Sequence, residues 1–456
     1  MAISGSGSSE TVRVAPGDET SYGSALAMVT TLFFMWGFLT SLNDILIPHL
    51  KSIFELNYTE VMLVQFAFFG TYAALGIASG KIVEWIGYKR TMVVGLLTMG
   101  LGAVLFIPAA KVPSYPLFLG ALIVLAAGIT ALQVAANPYV SVLGPARTAS
   151  SRLNLTQAFN SLGTVLGPIF GAFAILRGAS SIVNNLSTLS PEQRRAYQIH
   201  EASTVNIPYL GIALALVLLG LAIAMYKFPR IETTKDYRPS ELSRQKADSM
   251  WRHPHVVFGA IGIFVYVGAE VSIGSFLINY FARPEIGGIA TAVDGGSLHM
   301  TSAALLRFLT KVLGTWVPIY WGGLMVGRFI GSGVLQKAKP GKVLSLCAVG
   351  AMLLVLISML TDGSLAVWSI LFVGLFNSIM FPTIFTLGIA EMGPLTGEAS
   401  GLLITAIVGG AIIPELQGIL ADKIGIHHAF VLPILCYLFI AWYGVRGSRI
   451  KEPVAA

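Results

Sequence analysis

Apolar residues along this chain come in long runs separated by short polar segments. About 20 consecutive apolar residues in a helix cross a hydrocarbon layer of about 30 Å. Runs of that length fall at about 25–50, 59–83, 91–110, 116–143, 152–176 and 205–228. A second set falls at about 255–282, 312–336, 342–361, 364–391, 396–421 and 427–446. The pattern predicts an all-α membrane protein of twelve transmembrane helices in two groups of six.

The polar segments divide the chain. A charged stretch at 227–252, holding Lys235, Asp236, Arg238, Arg244 and Lys246, separates the two groups. The expected organisation is a cytosolic tail at 1–24, a six-helix bundle at 25–228, a cytosolic linker at 229–254, a second bundle at 255–446 and a tail at 447–456. Two other connections are long, 177–204 and 283–311, the latter with the polar turn Asp294-Gly295-Gly296. With the N-terminus inside, 20 of the 29 Lys and Arg residues fall on the inner side. Cytoplasmic loops carry such an excess, so both termini are expected in the cytoplasm and the chain in the inner membrane. The halves echo each other. Pro168-Ile169-Phe170-Gly171 is matched by Pro414-Glu415-Leu416-Gln417-Gly418, and the segment 80–87 by 418–425. Repeats of this kind suit carriers whose bundles rock about a central site.

Composition sharpens the class. Of the 456 residues 55% are hydrophobic and only 11% charged, against about 25% charged in soluble domains. The net charge of +7 sits in the short connecting segments, so it reads as membrane orientation and not as nucleic-acid binding. Cys347 and Cys436 lie in apolar runs with no metal-ligand spacing. The first twenty residues lack the apolar core of a secretory signal.

The loop after the second run reads Gly80-Lys81-Ile82-Val83-Glu84-Trp85-Ile86-Gly87-Tyr88-Lys89-Arg90. It resembles the signature of the major facilitator superfamily, G-x-L-x-D-x-x-G-x-K/R-R/K, with Glu84 where Asp is usual. Gly80 and Gly87 permit a tight turn against a neighbouring helix, and Glu84 can pair with a base or cap a helix end; Lys89 and Arg90 complete the motif. The resemblance implies two pseudo-symmetric six-helix bundles.

Asp44 is the lone charge in the first run, beside Asn43. An acid within the bilayer costs about 3 kcal/mol on the mildest scale, so it should face a cavity or a partner. Its burial suits reversible protonation, with a structural acid as the alternative. Phe34-Met35-Trp36-Gly37-Phe38 with Asn43-Asp44 resembles helix one of the fucose/galactose/glucose:proton symporter family. The likeness continues through Ala135-Ala136-Asn137-Pro138-Tyr139, Leu143-Gly144-Pro145, residues 152–161, Tyr266-Val267-Gly268-Ala269-Glu270-Val271 and Phe276-Leu277-Ile278-Asn279. It implies proton-driven uptake of a monosaccharide, with Asp44 in the place of the family's proton acid. Gln133 departs from the fucose-type members, which carry a glutamate there. Glutamine can bind a sugar hydroxyl but cannot cycle a proton. Asp44 then couples alone, or Glu270 shares the task, or coupling is weaker.

Neutral polyols need groups that both donate and accept. Gln133 and Asn137, four apart, share a helix face, and Asn154, Gln157 and Asn160 form a strip spaced by three. Each amide is either a sugar contact or glue between helices. Glu270 has Tyr266 one turn earlier. Asn279 faces nearly the opposite way unless Gly268 or Gly274 breaks the helix. Asn377 and Gln417 are further candidate contacts. Trp36 and Trp321 either stack on a sugar or pack. Arg328 is expected at the cytosolic end of its helix, Glu415 has no assigned role, and His427-His428 makes a poor metal pair. No phosphate loop, G-x-S-x-G elbow or HExxH occurs, so the sequence points to no enzyme and no cofactor.

The expected function is import of a monosaccharide, glucose or galactose first, by proton symport with alternating access. The expected partners are that sugar, protons and the bilayer, with no nucleic acid, and the carrier works as a monomer. N-acetylglucosamine, fructose or fucose, uncoupled facilitation, export of amphipathic compounds and sugar sensing are the alternatives.

Overall fold

Backbone groups in hydrocarbon have only each other as partners, so long apolar runs cross as helices. The computed structural model describes residues 22–54, 58–174, 190–229, 249–283, 285–286, 293–294, 297–298 and 316–450. Its first group of helices is α1 (Tyr22–Phe54), α2 (Tyr58–Lys111), α3 (Tyr115–Val142), α4 (Ala149–Ala174), α5 (Pro191–Ser203) and α6 (Asn206–Met225). The second is α7 (Pro254–Phe281), α8 (Val317–Lys337), α9 (Pro340–Leu360), α10 (Gly363–Asn377), α11 (Met380–Gly388), α12 (Thr396–Thr405), α13 (Gly409–Ile424), α14 (Ile426–Ala429) and α15 (Val431–Trp442). Among the described residues, nine helical stretches are long and apolar enough to cross a membrane. Residues 1–21, 230–248 and 451–456, the greater part of the expected tails and linker, lie outside the described residues.

Several of the runs are divided, each for a physical reason. The 54 residues of α2 exceed any bilayer, and Gly87 at φ +79° turns the chain between two helices. That left-handed region is open to glycine at little cost. Gly425, at φ +83°, makes the same turn between α13 and α14. These two glycines close the echoing segments 80–87 and 418–425, so that echo has a backbone counterpart. The run at 364–391 breaks after Asn377. There the Asn377 carbonyl accepts from Tyr266 Oη at 3.1 Å and the Ser378 carbonyl from Arg328 Nε at 3.3 Å. By contrast, α7 runs unbroken through Gly268 and Gly274. Those glycines serve close packing instead. A Cβ at Gly268 would meet Ile413 on α13, and one at Gly274 would meet Trp321 on α8. In the connection at 283–311, Val293–Asp294 and Ser297–Leu298 pair as two short antiparallel strands.

The outward faces carry exposed leucines at helical spacing, Leu210, Leu214, Leu218 and Leu221 on α6 and Leu346, Leu353 and Leu360 on α9. Stripes of this kind suit lipid and not water.

Both groups have a common side. Tyr139 at the end of α3 contacts Tyr88 just past Gly87 and Phe228 just past α6. Ser24 Oγ lies 2.7 Å from Tyr226 Oη, and Tyr443 Oη donates to the His255 carbonyl at 3.1 Å. The described ends of the chain and both ends of the linker therefore share one side, called here the linker side.

On that side the groups are in contact. A Cβ at Gly80 would lie 2.7 Å from the Gly397 carbonyl oxygen, and one at Gly401 2.7 Å from that of Gly76. Only such small residues let α2 and α12 approach so closely. Beside them α4 presents hydroxyls and an amide across the boundary. Ser150 meets Thr386 at 2.6 Å, Ser151 Oγ donates to the Ser332 carbonyl at 2.7 Å, and Asn154 Nδ2 to the Arg328 carbonyl at 2.7 Å. From α12, Ser400 Oγ donates to the Val134 carbonyl at 2.8 Å.

Candidate functional site

Beside these contacts lie two polar clusters, one in each group. In the first, every residue of α3 from Gly128 to Ser141 is buried, so polar side chains there must find partners inside the protein. Gln133 Nε2 donates to the Tyr72 hydroxyl at 2.9 Å. One turn on, Asn137 is 0% exposed. Its Oδ1 accepts from Gln157 Nε2 at 3.5 Å, while its Nδ2 has no partner. Asn160 Nδ2 donates to the Phe33 carbonyl at 3.0 Å, at the crossing where Gly37 lets α1 approach α4. Gln133, Asn137, Gln157 and Asn160 are thus brought into one region. Asn154 is not, because its amide reaches into the second group.

The second cluster is built around Asn377. Its Nδ2 donates to Tyr320 Oη at 3.2 Å, its Oδ1 accepts from Tyr437 Oη at 2.8 Å, and its carbonyl accepts from Tyr266. Tyr320 Oη also donates to the Glu270 carbonyl at 3.4 Å. Glu270 is half-buried as a residue, and its carboxyl lies within electrostatic reach of Tyr266 and Arg328. Gln417 on α13 is fully enclosed, with neither amide atom partnered. Asn279 is exposed and, nine residues beyond Glu270 on an unbroken helix, points to the opposite face. Glycine does not carry it round to the cluster.

Arg328 stands between the clusters, and here the sequence expectation is corrected. It lies mid-helix on α8 and is only 7% exposed, not at the cytosolic end. Its Nη1 donates to the Gln157 carbonyl at 2.9 Å and to Ser161 Oγ, both on α4. A guanidinium in such a place needs these acceptors, since a buried charge without partners is costly.

The remaining candidates are distributed as follows. Trp36 is buried with its ring 4.0 Å from that of Phe33, and Trp321 packs on Gly274. Glu84 lies against Gly397 and accepts from the Glu398 backbone N–H at the start of α12, leaving Oε1 without a partner. Lys89 is half-buried and Arg90 exposed on the linker side. His427 Nε2 contacts the Met359 carbonyl at 2.7 Å, which fixes α14 against the end of α9. Glu415 is half-buried on α13. Asn43 and Asp44 belong to α1, but their side chains lie outside the described residues.

Tyr72, Tyr320, Tyr437 and Ser161 went unnoticed as candidates. Each tyrosine is one of several aromatics in its apolar run, and nothing marks it out before its partner is known.

Comparison with known proteins agrees with this arrangement. Residues 28–414 match the Major Facilitator Superfamily. A glucose/galactose transporter of Brucella abortus is 50% identical over 431 residues, covering 94% of this chain and 96% of that protein. The L-fucose-proton symporter of Escherichia coli is 35% identical over 432 residues, covering 93% of each. A crystal structure of the major facilitator transporter FucP in the outward conformation superposes with a TM-score of 0.80 at 33% identity, covering 94% of this chain and 99% of that one. This chain is a member of the Major Facilitator Superfamily, in its fucose/galactose/glucose:proton symporter family.

Proposed function

We propose that the protein is a twelve-helix secondary carrier that imports a monosaccharide, glucose or galactose first, together with protons. The observation that carries this reading is the distribution of polar groups at the bundle boundary. Neutral amides (Gln133, Asn137, Gln157 and Asn160) lie on one side and Glu270, Asn377 and three tyrosines on the other. Amides and hydroxyls match the donor and acceptor pattern of a sugar, and an acid offers a place for a proton. Contact between the groups on the linker side supports alternating access, with this state sealed there. Relatives named for glucose, galactose and fucose support the substrate class.

In this reading the linker and both termini are cytoplasmic, the membrane is the inner one, and a single chain is sufficient. Asp44 and Glu270 are the proton-coupling acids. Gln133, Asn137, Gln157 and Asn160 bind sugar from the first bundle, with Asn43 beside Asp44. Asn377 and Gln417 do so from the second, and Asn279, facing away, has no part in the site. Gly80, Glu84, Gly87, Lys89 and Arg90 form the linker-side gate.

Uptake of labelled glucose in cells lacking their own hexose carriers, with and without a protonophore, tests it. Uptake that collapses with the proton gradient, and is competed by galactose, is the expected result. Asp44→Asn should abolish sugar-dependent proton uptake while sugar exchange persists. Uptake indifferent to the protonophore would make the protein a facilitator. No uptake of glucose, galactose, fructose, fucose or N-acetylglucosamine would refute the sugar reading.

A further inference from the structure

Arg328 holds the two bundles together at the depth of the polar clusters, and it does so with neutral acceptors. Its Nη1 is committed to the Gln157 carbonyl and Ser161 Oγ on α4, and its Nε to the Ser378 carbonyl in its own bundle. The Glu270 carboxyl lies within its electrostatic reach, yet the two form no ion pair in this state. When the linker side opens, α4 must withdraw and Nη1 loses both acceptors. Water entering there hydrates the freed guanidinium, and the carboxylate of its own bundle within its electrostatic reach offers a charge-assisted partner stronger than the neutral acceptors it has left.

We propose that Arg328 is a positioning residue that exchanges partners during transport, holding α4 while the linker side is closed and pairing with Glu270 once α4 leaves. The exchange fixes a direction. An ionised Glu270 competes with α4 for the arginine and favours opening on the linker side. A protonated Glu270 leaves the arginine on α4 and favours closure, so proton release and opening occur together. This rests on the reading of Glu270 as a coupling acid. Other titratable groups around Glu270 are Tyr266 on its own helix, Tyr320 on α8 and Tyr437 on α15. Helices α10 and α11 present only neutral residues, and α13 carries Glu415, Asp422 and Lys423.

The test reads the bundle contact directly and needs no substrate. In a chain with Cys347 and Cys436 replaced by alanine, Ser151→Cys and Ser332→Cys place thiols where the hydroxyls lie 3.4 Å apart. Copper-phenanthroline oxidation in native membranes at one slightly alkaline pH then measures the closed state as a cross-linking rate. Glu270→Gln should raise that rate by about fivefold or more, the lower end of coupling between linked sites. The same substitution should have no effect when Arg328→Gln is also present. Should Arg328→Gln not accumulate, Ser161→Ala removes one α4 acceptor and keeps the charge. It should then slow cross-linking several-fold with Glu270 present and much less with Glu270→Gln. A rate indifferent to residue 270, or one that responds equally with and without the arginine or the Ser161 hydroxyl, overturns the exchange. Absent sugar uptake would sink the sugar reading while leaving this readout intact. Unchanged cross-linking in a chain that does import sugar with protons would sink the exchange alone.

Discussion

Gly80→Ala offers a direct test of the linker-side contact. The new Cβ would stand 2.7 Å from the Gly397 carbonyl oxygen and 3.3 Å from the Glu398 Cα. Both are backbone atoms, so no side chain can rotate away, and α2 must part from α12 by about 0.7 Å to restore an ordinary 3.4 Å contact. Overpacking of this kind typically costs about 1–3 kcal/mol. The helix gains about 0.5–1 kcal/mol from losing a glycine, but it gains equally in both carrier states, so that benefit cancels. The closed state alone is strained, and the equilibrium should move about 5- to 150-fold toward opening on the linker side. Ser400→Cys supplies the readout. Ser400 is fully buried under α3 in the closed state, so maleimide labelling from the linker side reports opening. Gly70→Ala is the control, because a Cβ there meets nothing within 4 Å on the same helix. Equal labelling rates in the two variants would refute this account of the contact.

Three further outcomes follow from the geometry. Gln133→Ala strands the Tyr72 hydroxyl, a loss of about 1–3 kcal/mol, and should weaken apparent sugar affinity about tenfold or more in competition assays. Asn377→Leu leaves the Tyr320 and Tyr437 hydroxyls without their shared amide and should lower the detergent melting temperature by several degrees, while Asn279→Leu should leave it unchanged. Glu84→Ala removes the acceptor that holds the Glu398 backbone N–H at the start of α12, worth about 0.5–1.5 kcal/mol, and should speed labelling of Ser400→Cys in the same direction as Gly80→Ala but less strongly.

Apolar run length made the helices legible, and the glycines at 87 and 425 made their turns legible, because both are local properties. The broken runs were not. The interruption after Asn377 depends on Tyr266 and Arg328 reaching for its carbonyls, from residues 111 and 50 positions away. Among the amides, spacing gave Gln133 and Asn137 a common face, but only the fold separates Asn154, which crosses to α8, from Gln157, which stays with Asn137. Arg328 was misplaced because an arginine after a glycine near a run's end reads as an anchor at the membrane surface. Residues 143–145 and 152 proved to be one device. Gly144 turns at φ +116°, and Arg152 donates to the Val140, Ser141 and Pro145 carbonyls at the end of α3. That part of the family likeness concerns a helix end and not the sugar site.

The linker-side boundary is made from glycines and hydroxyls, and this matters most when it comes apart. Each opening admits water to a surface that was dry. Wetting an apolar surface costs about 25 cal/mol for every Å² uncovered, whereas bare backbone and serine hydroxyls exchange one hydrogen-bond partner for another at small net cost. A leucine seam of equal extent would hold the bundles shut. A seam of Gly76, Gly80, Gly397, Gly401, Ser150, Ser151 and Ser400 keeps the wet and dry forms close in free energy, so a proton and a sugar are enough to choose between them.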